Sequence, residues 1–166
     1  MNTTALPHGW TIGAPVAQEK IYGDPPESLD NEMVQFYGLR EGDSGYRLYS
    51  MPANTKMSTV VRLFQIGSHG AQSYGYDQNA TVNLVAEKAE AIAAMVPCRV
   101  TFADEAGLKL QFKRQITVDE VRQIEKLFPE DIQMQAGLDR YISEWDGTSL
   151  LLQPVLKENM IQFWWD

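Results

Sequence analysis

Most of the side chains that could carry out chemistry lie in one polar stretch, residues 67–79 (GSHGAQSYGYDQN). His69 could act as a general acid or base, because histidine exchanges a proton readily near neutral pH. Ser68 precedes it in the sequence, and Asp77 follows within the same stretch. One interpretation is therefore a small enzyme or ligand-binding domain that uses this stretch, with His69, Ser68 and Asp77 as its catalytic residues.

The same stretch lacks the patterns of the common nucleotide-binding loops. Gly67 and Gly70 are not followed by the Lys-Ser/Thr of a phosphate loop, and their spacing is not that of a dinucleotide fingerprint. A serine beside a histidine in sequence also does not indicate a catalytic triad, which depends on spatial geometry. The competing interpretation of residues 67–79 is an exposed polar loop.

Adjacent acidic residues could serve as acid–base pairs, but each pair in this chain has a structural explanation. Asp104–Glu105 falls in a predicted turn, Asp119–Glu120 in the first turn of a predicted helix, and Glu130–Asp131 after a predicted helix end. Turn chemistry and the helix dipole account for carboxylates at such positions. We therefore expect none of the three pairs to be an acid–base pair or a metal site.

The chain has few residues that could bind zinc or form a disulfide. Cys98 is the single cysteine, and His8 and His69 are the two histidines. A structural zinc site normally has about four Cys or His ligands, and an internal disulfide needs two cysteines. We expect no metal and no other cofactor, and we expect Cys98 to be a small buried apolar residue.

The charge of the chain favours a different class of function. A net charge of −8 argues against direct nucleic-acid binding, because phosphates repel an acidic surface. It is compatible with a basic protein partner, or simply with solubility. Acidic residues are dense between Asp24 and Asp43, where Arg40 is the single basic residue.

The preferred prediction is a non-catalytic binding module of the inhibitor or immunity type. It would neutralise a basic protein partner, such as a toxin or a nucleic-acid-processing enzyme. Tryptophan and tyrosine are enriched at the energetic centres of protein interfaces, which adds exposed aromatic residues to the candidates. The sequence does not indicate the oligomeric state. The predicted binding residues are Asp30, Glu32, Glu41, Asp43, Tyr74, Tyr76 and Trp164.

Length and hydropathy indicate how many domains the chain forms and whether it could cross a membrane. A chain of 166 residues corresponds to one domain, and this one is long enough to bury a substantial core. Its N-terminus lacks a signal-type segment, and no stretch approaches the roughly 18 apolar residues that cross a membrane. We therefore expect a single cytoplasmic domain, residues 1–166, without membrane contact.

The polar stretch is expected to lie between a strand and a helix. Thr59–Ile66 (TVVRLFQI) is apolar and β-branched, which predicts the central strand. Residues 80–96 carry apolar side chains at helical spacing, so they are predicted to form a helix with Asn79 as its N-cap.

Proline and glycine divide the first third of the chain. Four prolines within residues 1–27 predict an irregular arm with one short edge strand, held to the body by Trp10 and Ile12. Ser28–Tyr37 is predicted to be a short helix, and Tyr46–Met51 a strand that ends at Pro52.

The clearest local signals follow the predicted helix. Arg99–Phe102 and Leu108–Lys113 are predicted strands on either side of a four-residue turn, because apolar and polar residues alternate in the second. Thr117–Glu120 matches a capping box and opens a helix that ends near Phe128.

The C-terminal third is predicted to end in a hairpin. A helix is expected at residues 138–145, and Leu150–Leu156 is predicted to pair with Met160–Trp165. Trp164 would then lie on the opposite face from Ile161. Together these elements predict an α+β fold: a mainly antiparallel sheet of five to seven strands, with the helices at 80–96 and 117–128 packed on one face.

Overall fold

The computed structural model describes residues 5–27, 32–127 and 152–164, with side chains described from Val155 onward in the last range. Its strands form one sheet of six strands, mostly antiparallel, which confirms the predicted α+β fold. The strands are β1 (Thr11–Pro15), β2 (Met33–Gly38), β3 (Arg47–Pro52), β4 (Cys98–Ala103), β5 (Gly107–Phe112) and β6 (Met160–Trp164).

Helices lie between β1 and β2, between β3 and β4 and between β5 and β6. The N-terminal arm contains the predicted edge strand β1 and, in addition, one helical turn. Over the described residues the helices are α1 (Gln18–Ile21), α2 (Met57–Phe64), α3 (Ser68–Tyr74), α4 (Gln78–Met95), α5 (Val118–Lys126) and α6 (Leu152–Glu158). None of the helices in these ranges is long and apolar enough to cross a bilayer.

The sheet consists of two antiparallel halves joined by one parallel pair. The strand order is β1-β3-β2-β4-β5-β6, and the pair β2–β4 is the parallel one. Tyr37 lies opposite Phe102 and Gly38 opposite Ala103 in that pair. The chain therefore leaves both central strands at the same edge of the sheet, which brings the loops that follow them together.

One hydrophobic cluster packs the helices against the sheet. Phe36 and Tyr49 are fully buried on the inner face of the sheet and stack with ring centroids 5.6 Å apart. Ile92 of α4 and Ile124 of α5 belong to the same cluster, as do the inward residues of β5 and β6. The two principal helices thus cover one face of the sheet, as predicted.

The predicted strand Thr59–Ile66 is wrong, because this region forms the helix α2. The buried residues Met57, Val60, Val61 and Phe64 are spaced i, i+3, i+4 and i+7, which is the period of one helix face. The β-branched residues favoured a strand, but the spacing of the buried residues determined the structure.

The predicted helix Ser28–Tyr37 is also wrong in the part that the structure describes. Met33–Gly38 forms β2, in which Val34, Phe36 and Gly38 are buried and alternate with half-buried residues. This period of two is that of a strand with one face on the core.

Residues 67–79 are not a loop throughout. Ser68–Tyr74 forms α3, with Gly67 before it and Gly75 after it, both at positive φ. Ser68, Gly70 and Ala71 are its buried residues, and their small size lets α3 pack closely on α4. The helix α4 begins near the predicted position, but Asp77 rather than Asn79 is its N-cap.

The predicted terminal hairpin is wrong, although its second strand is present and pairs with β5 instead. Met160–Trp164 is a strand, but Leu152–Glu158 is the helix α6 rather than a strand. Pro154 lies in its first turn, where the missing N–H of proline is tolerated. The helix predicted at 138–145 and Trp165 lie outside the described residues.

Candidate functional site

A cleft of about 310 Å³ opens where β2 and β4 end. It is lined by residues 39–43, which follow β2, by residues 104–106, which follow β4, and by His69 of α3. In sheets with parallel strands, ligands commonly bind beyond the carboxyl ends of those strands. The position of the cleft follows directly from the parallel pairing of β2 with β4.

Asp43 holds the first wall of the cleft to the core. Its Oδ2 atom accepts hydrogen bonds from the Arg40 N–H at 2.8 Å and from the Tyr49 hydroxyl at 2.6 Å. Burial of Tyr49, followed by this hydrogen bond and the charge of Asp43, raises the pKa of the tyrosine well above its ordinary value. The carboxylate therefore fixes the loop after β2 in addition to contributing charge.

Asp104 forms the most buried acidic part of the cleft. Only 7% of the residue is exposed, and its Oδ1 atom accepts the Ala106 N–H at 2.8 Å. Burial raises the pKa of its carboxyl above the ordinary range, and the adjacent Glu105 raises it further. The N–H groups of Ala106 and Gly107, and then His69, act in the opposite direction but do not cancel the effect of burial.

Two further ionisable groups face Asp104. Burial raises the pKa of Tyr46, and the negative charge of Asp104 raises it further. Lys109 of β5 also interacts with Asp104, although its own burial lowers the pKa of the lysine. Its Nζ lies 5.6 Å from the ring centroid of Phe102. Asp104 therefore connects the cleft with the outer face of the sheet.

The start of α3 is joined to the β4–β5 turn through backbone atoms. The Glu105 carbonyl accepts the Gly67 N–H at 3.0 Å and the His69 N–H at 3.5 Å. Gly67 has φ +98°, and a Cβ atom there would lie 3.0 Å from the Val85 side chain. Glycine meets both constraints, and this junction places His69 at the cleft.

The three candidate catalytic residues do not form one group. His69 is exposed and lines the cleft, whereas Ser68 is buried and does not line it. Asp77 accepts the Ala80 N–H at 2.8 Å as the N-cap of α4, beyond the opposite end of α3. The group found at the cleft is instead His69 with Asp104.

The predicted binding residues are divided among several places. Glu41 and Asp43 line the cleft, Glu32 is exposed just before β2, and Asp30 lies outside the described residues. Trp164 is 41% exposed at the end of β6 and covers Gly107.

The predicted tyrosine pair lies at the far end of α3 from the cleft. Tyr74 is 54% exposed and Tyr76 is 43% exposed, and their ring centroids are 6.4 Å apart. Because His69 begins the same short helix, an exposed surface extends from the cleft to these two rings. This surface, which runs from His69 to Tyr74 and Tyr76, is called the α3 surface.

Acidic groups outnumber basic ones around the cleft. Its carboxylates are those of Glu41, Asp43, Asp104 and Glu105, and its basic groups are Arg40 and His69. The sequence placed Asp104 correctly in a turn, but its burial and its contact with Tyr46 depend on residues distant in the chain. Within the described ranges, no three His, Cys, Asp or Glu side chains are grouped so that they could hold a metal ion.

Comparison of the chain with protein-family models, with curated proteins and with solved structures finds no match. The case for a function therefore depends on the chemistry of the cleft and its surroundings.

Proposed function

We propose that this chain is a non-catalytic protein-binding module whose cleft receives a basic segment of a protein partner. The observation that carries the proposal is the excess of carboxylates over basic groups in a preformed cleft. A lysine or arginine side chain entering this space would meet Glu41 and Glu105 near its opening and Asp104 in its interior. Partly enclosed charges attract a cation more strongly than fully solvated ones.

The α3 surface supports the same proposal. Tyr74 and Tyr76 offer exposed aromatic area at the other end of α3, and tyrosine is enriched among residues that contribute strongly to protein interfaces. The chain would then be a binding module of the inhibitor or immunity type, and a basic partner such as a toxin or a nucleic-acid-processing enzyme would provide a complementary charge. The overall charge of −8 would accelerate its approach.

The experiment begins by isolating the partner from the native host with the tagged chain, and it then measures binding kinetics at two salt concentrations. The test variant carries Glu41→Gln and Glu105→Gln. The control carries Glu19→Gln and Glu87→Gln, which remove the same charge from exposed positions on α1 and α4. Asp43 is left unchanged because it binds Tyr49.

We expect the test variant to associate more slowly, to depend less steeply on salt, and to melt like the parent. Charges near an interface mainly affect the association rate, and their effect is screened over about 8 Å at physiological ionic strength. An equal effect of both variants would show that only the total charge matters. An effect of neither variant would place the interface elsewhere.

A second candidate function is supported by the presence of His69 and Asp104 in the same cleft. An imidazole and a buried carboxyl of raised pKa in one cleft are the groups that general acid–base catalysis uses. His69→Ala distinguishes the two functions. Under the binding function, stability and biological activity remain nearly intact, whereas a loss of activity without a loss of stability would favour a small enzyme.

A further inference from the structure

Asp104 interacts with two chain segments, the β4–β5 turn and the segment before β3. Its side chain closes the β4–β5 turn through the Ala106 N–H, and its backbone pairs with Gly107 in both directions, at 3.0 Å and 3.4 Å. Tyr46, which precedes β3, interacts electrostatically with the same carboxylate. A change in the charge of Asp104 therefore alters its hydrogen bond to the turn and its interaction with the segment before β3 at once.

The turn is attached to α3 without an intervening side chain. The Glu105 carbonyl receives N–H groups from both Gly67 and His69. Both hydrogen bonds join backbone groups, so the turn and the first residues of α3 are connected directly. A displacement of the turn is therefore passed to the residue that carries the imidazole.

The groups that face Asp104 come from every neighbouring element. Glu105 repels its charge, whereas His69 from α3 and Lys109 from β5 attract it. The Tyr46 hydroxyl, from the segment before β3, also interacts with it electrostatically. Hydrogen bonds to a charged acceptor are about twice as strong as neutral ones, so loss of the charge weakens the one from Ala106.

We propose that Asp104 is a proton-operated switch: when its carboxyl gains a proton, its hydrogen bonds to the turn weaken, and the start of α3, with His69, shifts at the wall of the cleft. Protonation also removes one negative charge from the interior of the cleft. The consequence for a basic partner rests on the proposed function, since binding should weaken as Asp104 becomes neutral. The switch itself requires no partner.

The test is an NMR titration of the free protein between pH 3 and pH 8. The ¹⁵N-labelled chain carries His69→Gln in all samples, so that the side chain at position 69 is not ionisable. We expect the amide signals of Ala106, of Gly67 and of position 69 to move with one common midpoint. That midpoint should lie above the aspartate reference of about 3.9, because burial of Asp104 favours the protonated form.

Two matched variants separate the switch from other carboxylates. Asp104→Asn should abolish the common titration, whereas Glu105→Gln should retain it with a lower midpoint, because Glu105 acts on α3 through its backbone carbonyl and on Asp104 by repulsion. A titration that persists in Asp104→Asn would overturn the proposal. So would a titration of Ala106 alone, with no response at Gly67 and position 69.

A direct measurement on the chain that retains Asp104 covers the case in which Asp104→Asn does not fold. The side-chain carboxyl carbon of Asp104 is followed by ¹³C NMR over the same pH range. A midpoint at or below the ordinary aspartate value of about 3.9 would overturn the proposal. Because no partner is present in either measurement, failure of the switch leaves the proposed binding function untouched.

Discussion

The hydroxyl group of Tyr49, a fully buried residue at the centre of the core, donates a 2.6 Å hydrogen bond to the carboxylate of Asp43 in the wall of the cleft. Removing the hydroxyl in Tyr49→Phe deprives a carboxylate of one donor while leaving the aromatic packing with Phe36 in place. Hydrogen bonds to charged groups contribute about 1.5–3 kcal/mol, so we expect a loss of unfolding free energy of that size.

Urea denaturation measures this loss, and Tyr22→Phe is the matched control because Tyr22 is 76% exposed. The difference between the variants should also change with alkaline pH. The raised pKa of Tyr49 keeps the folded state protonated when the unfolded tyrosine ionises near pH 10, so the parent loses stability as pH rises past 10. Tyr49→Phe should show less of this loss. Equal stabilities for the three proteins would contradict the role of this hydrogen bond.

The buried face of α4 provides a second prediction. Ile92 is 1% exposed within the main cluster, whereas Leu84 on the same helix is 37% exposed. Ile92→Asp should unfold the protein or destabilise it by several kcal/mol (about 3 or more), because an unpaired charge would enter the core. Leu84→Asp should change the melting temperature little. Similar melting curves for the two variants would show that the helix face is misassigned.

Asn159 provides a third prediction, because it binds the chain segment after β5 with both ends of its amide group. Its Nδ2 donates to the carbonyls of Phe112 and Arg114 at 3.1 Å and 3.0 Å, and its Oδ1 accepts the Ile116 N–H at 2.9 Å. Its φ of 55° is also a conformation that alanine disfavours. We expect Asn159→Ala to cost about 4 kcal/mol, of which roughly 1 kcal/mol comes from each hydrogen bond and about 1 kcal/mol from the left-handed backbone.

Asn159→Gly separates the two causes. Glycine accepts the positive φ but makes none of the side-chain hydrogen bonds, so its loss should be smaller than that of alanine. Gln123→Ala, at an exposed position on α5, serves as the reference substitution. Chemical denaturation of the three variants measures the loss of unfolding free energy in each and so ranks them. A loss for Asn159→Ala no larger than that for Gln123→Ala would refute the structural role of this amide group.

The capping box of α5 gives a prediction about acid stability. The hydrogen bonds from Arg114, and then from the Thr117 N–H, lower the pKa of Glu120 from 4.5 to about 2. A carboxyl with a lowered pKa stabilises the folded state above the pKa of its unfolded form. The stabilisation contributed by Glu120 should therefore be complete above pH 4.5 and should disappear as the pH falls towards 2.

Arg114→Gln should move the titration of Glu120 back towards its ordinary range and make stability depend less on pH between 4.5 and 2. The control is Arg122→Gln, which removes the same charge from an exposed position on α5. Carboxyl ¹³C NMR reports the pKa, and urea unfolding at about pH 6 and about pH 2.5 reports the stability on either side of the transition. An unchanged Glu120 titration in Arg114→Gln would remove Arg114 as the cause.

The sequence predicted the elements whose signals are local. The predicted capping box of Thr117 and Glu120 is present with both of its hydrogen bonds. The turn that begins at Asp104 joins β4 to β5, as predicted. In each case the relevant residues are close in sequence, so pattern and structure depend on the same short-range contacts.

The errors occurred where tertiary packing decides between two local preferences. Val60 and Val61 favour a strand, but they lie on the buried face of α2 against α4, whose sequence begins far downstream. The cleft could not be predicted for a related reason. It requires β2 to pair with β4, and no pattern within residues 33–38 or 98–103 specifies that partner. His69 was identified, whereas Asp104 was explained only as a turn residue.

The parallel pairing of Tyr37 with Phe102 and of Gly38 with Ala103 has a consequence for the order of folding. β2 and β3 are joined by a short connection, as are β4 and β5, so each antiparallel pair can form by closing a small loop. The two-residue contact between the pairs closes a much longer loop. The chain therefore loses more conformational entropy before this contact can contribute stabilising interactions. The cleft at this contact should therefore be completed late in folding, after both hairpins exist.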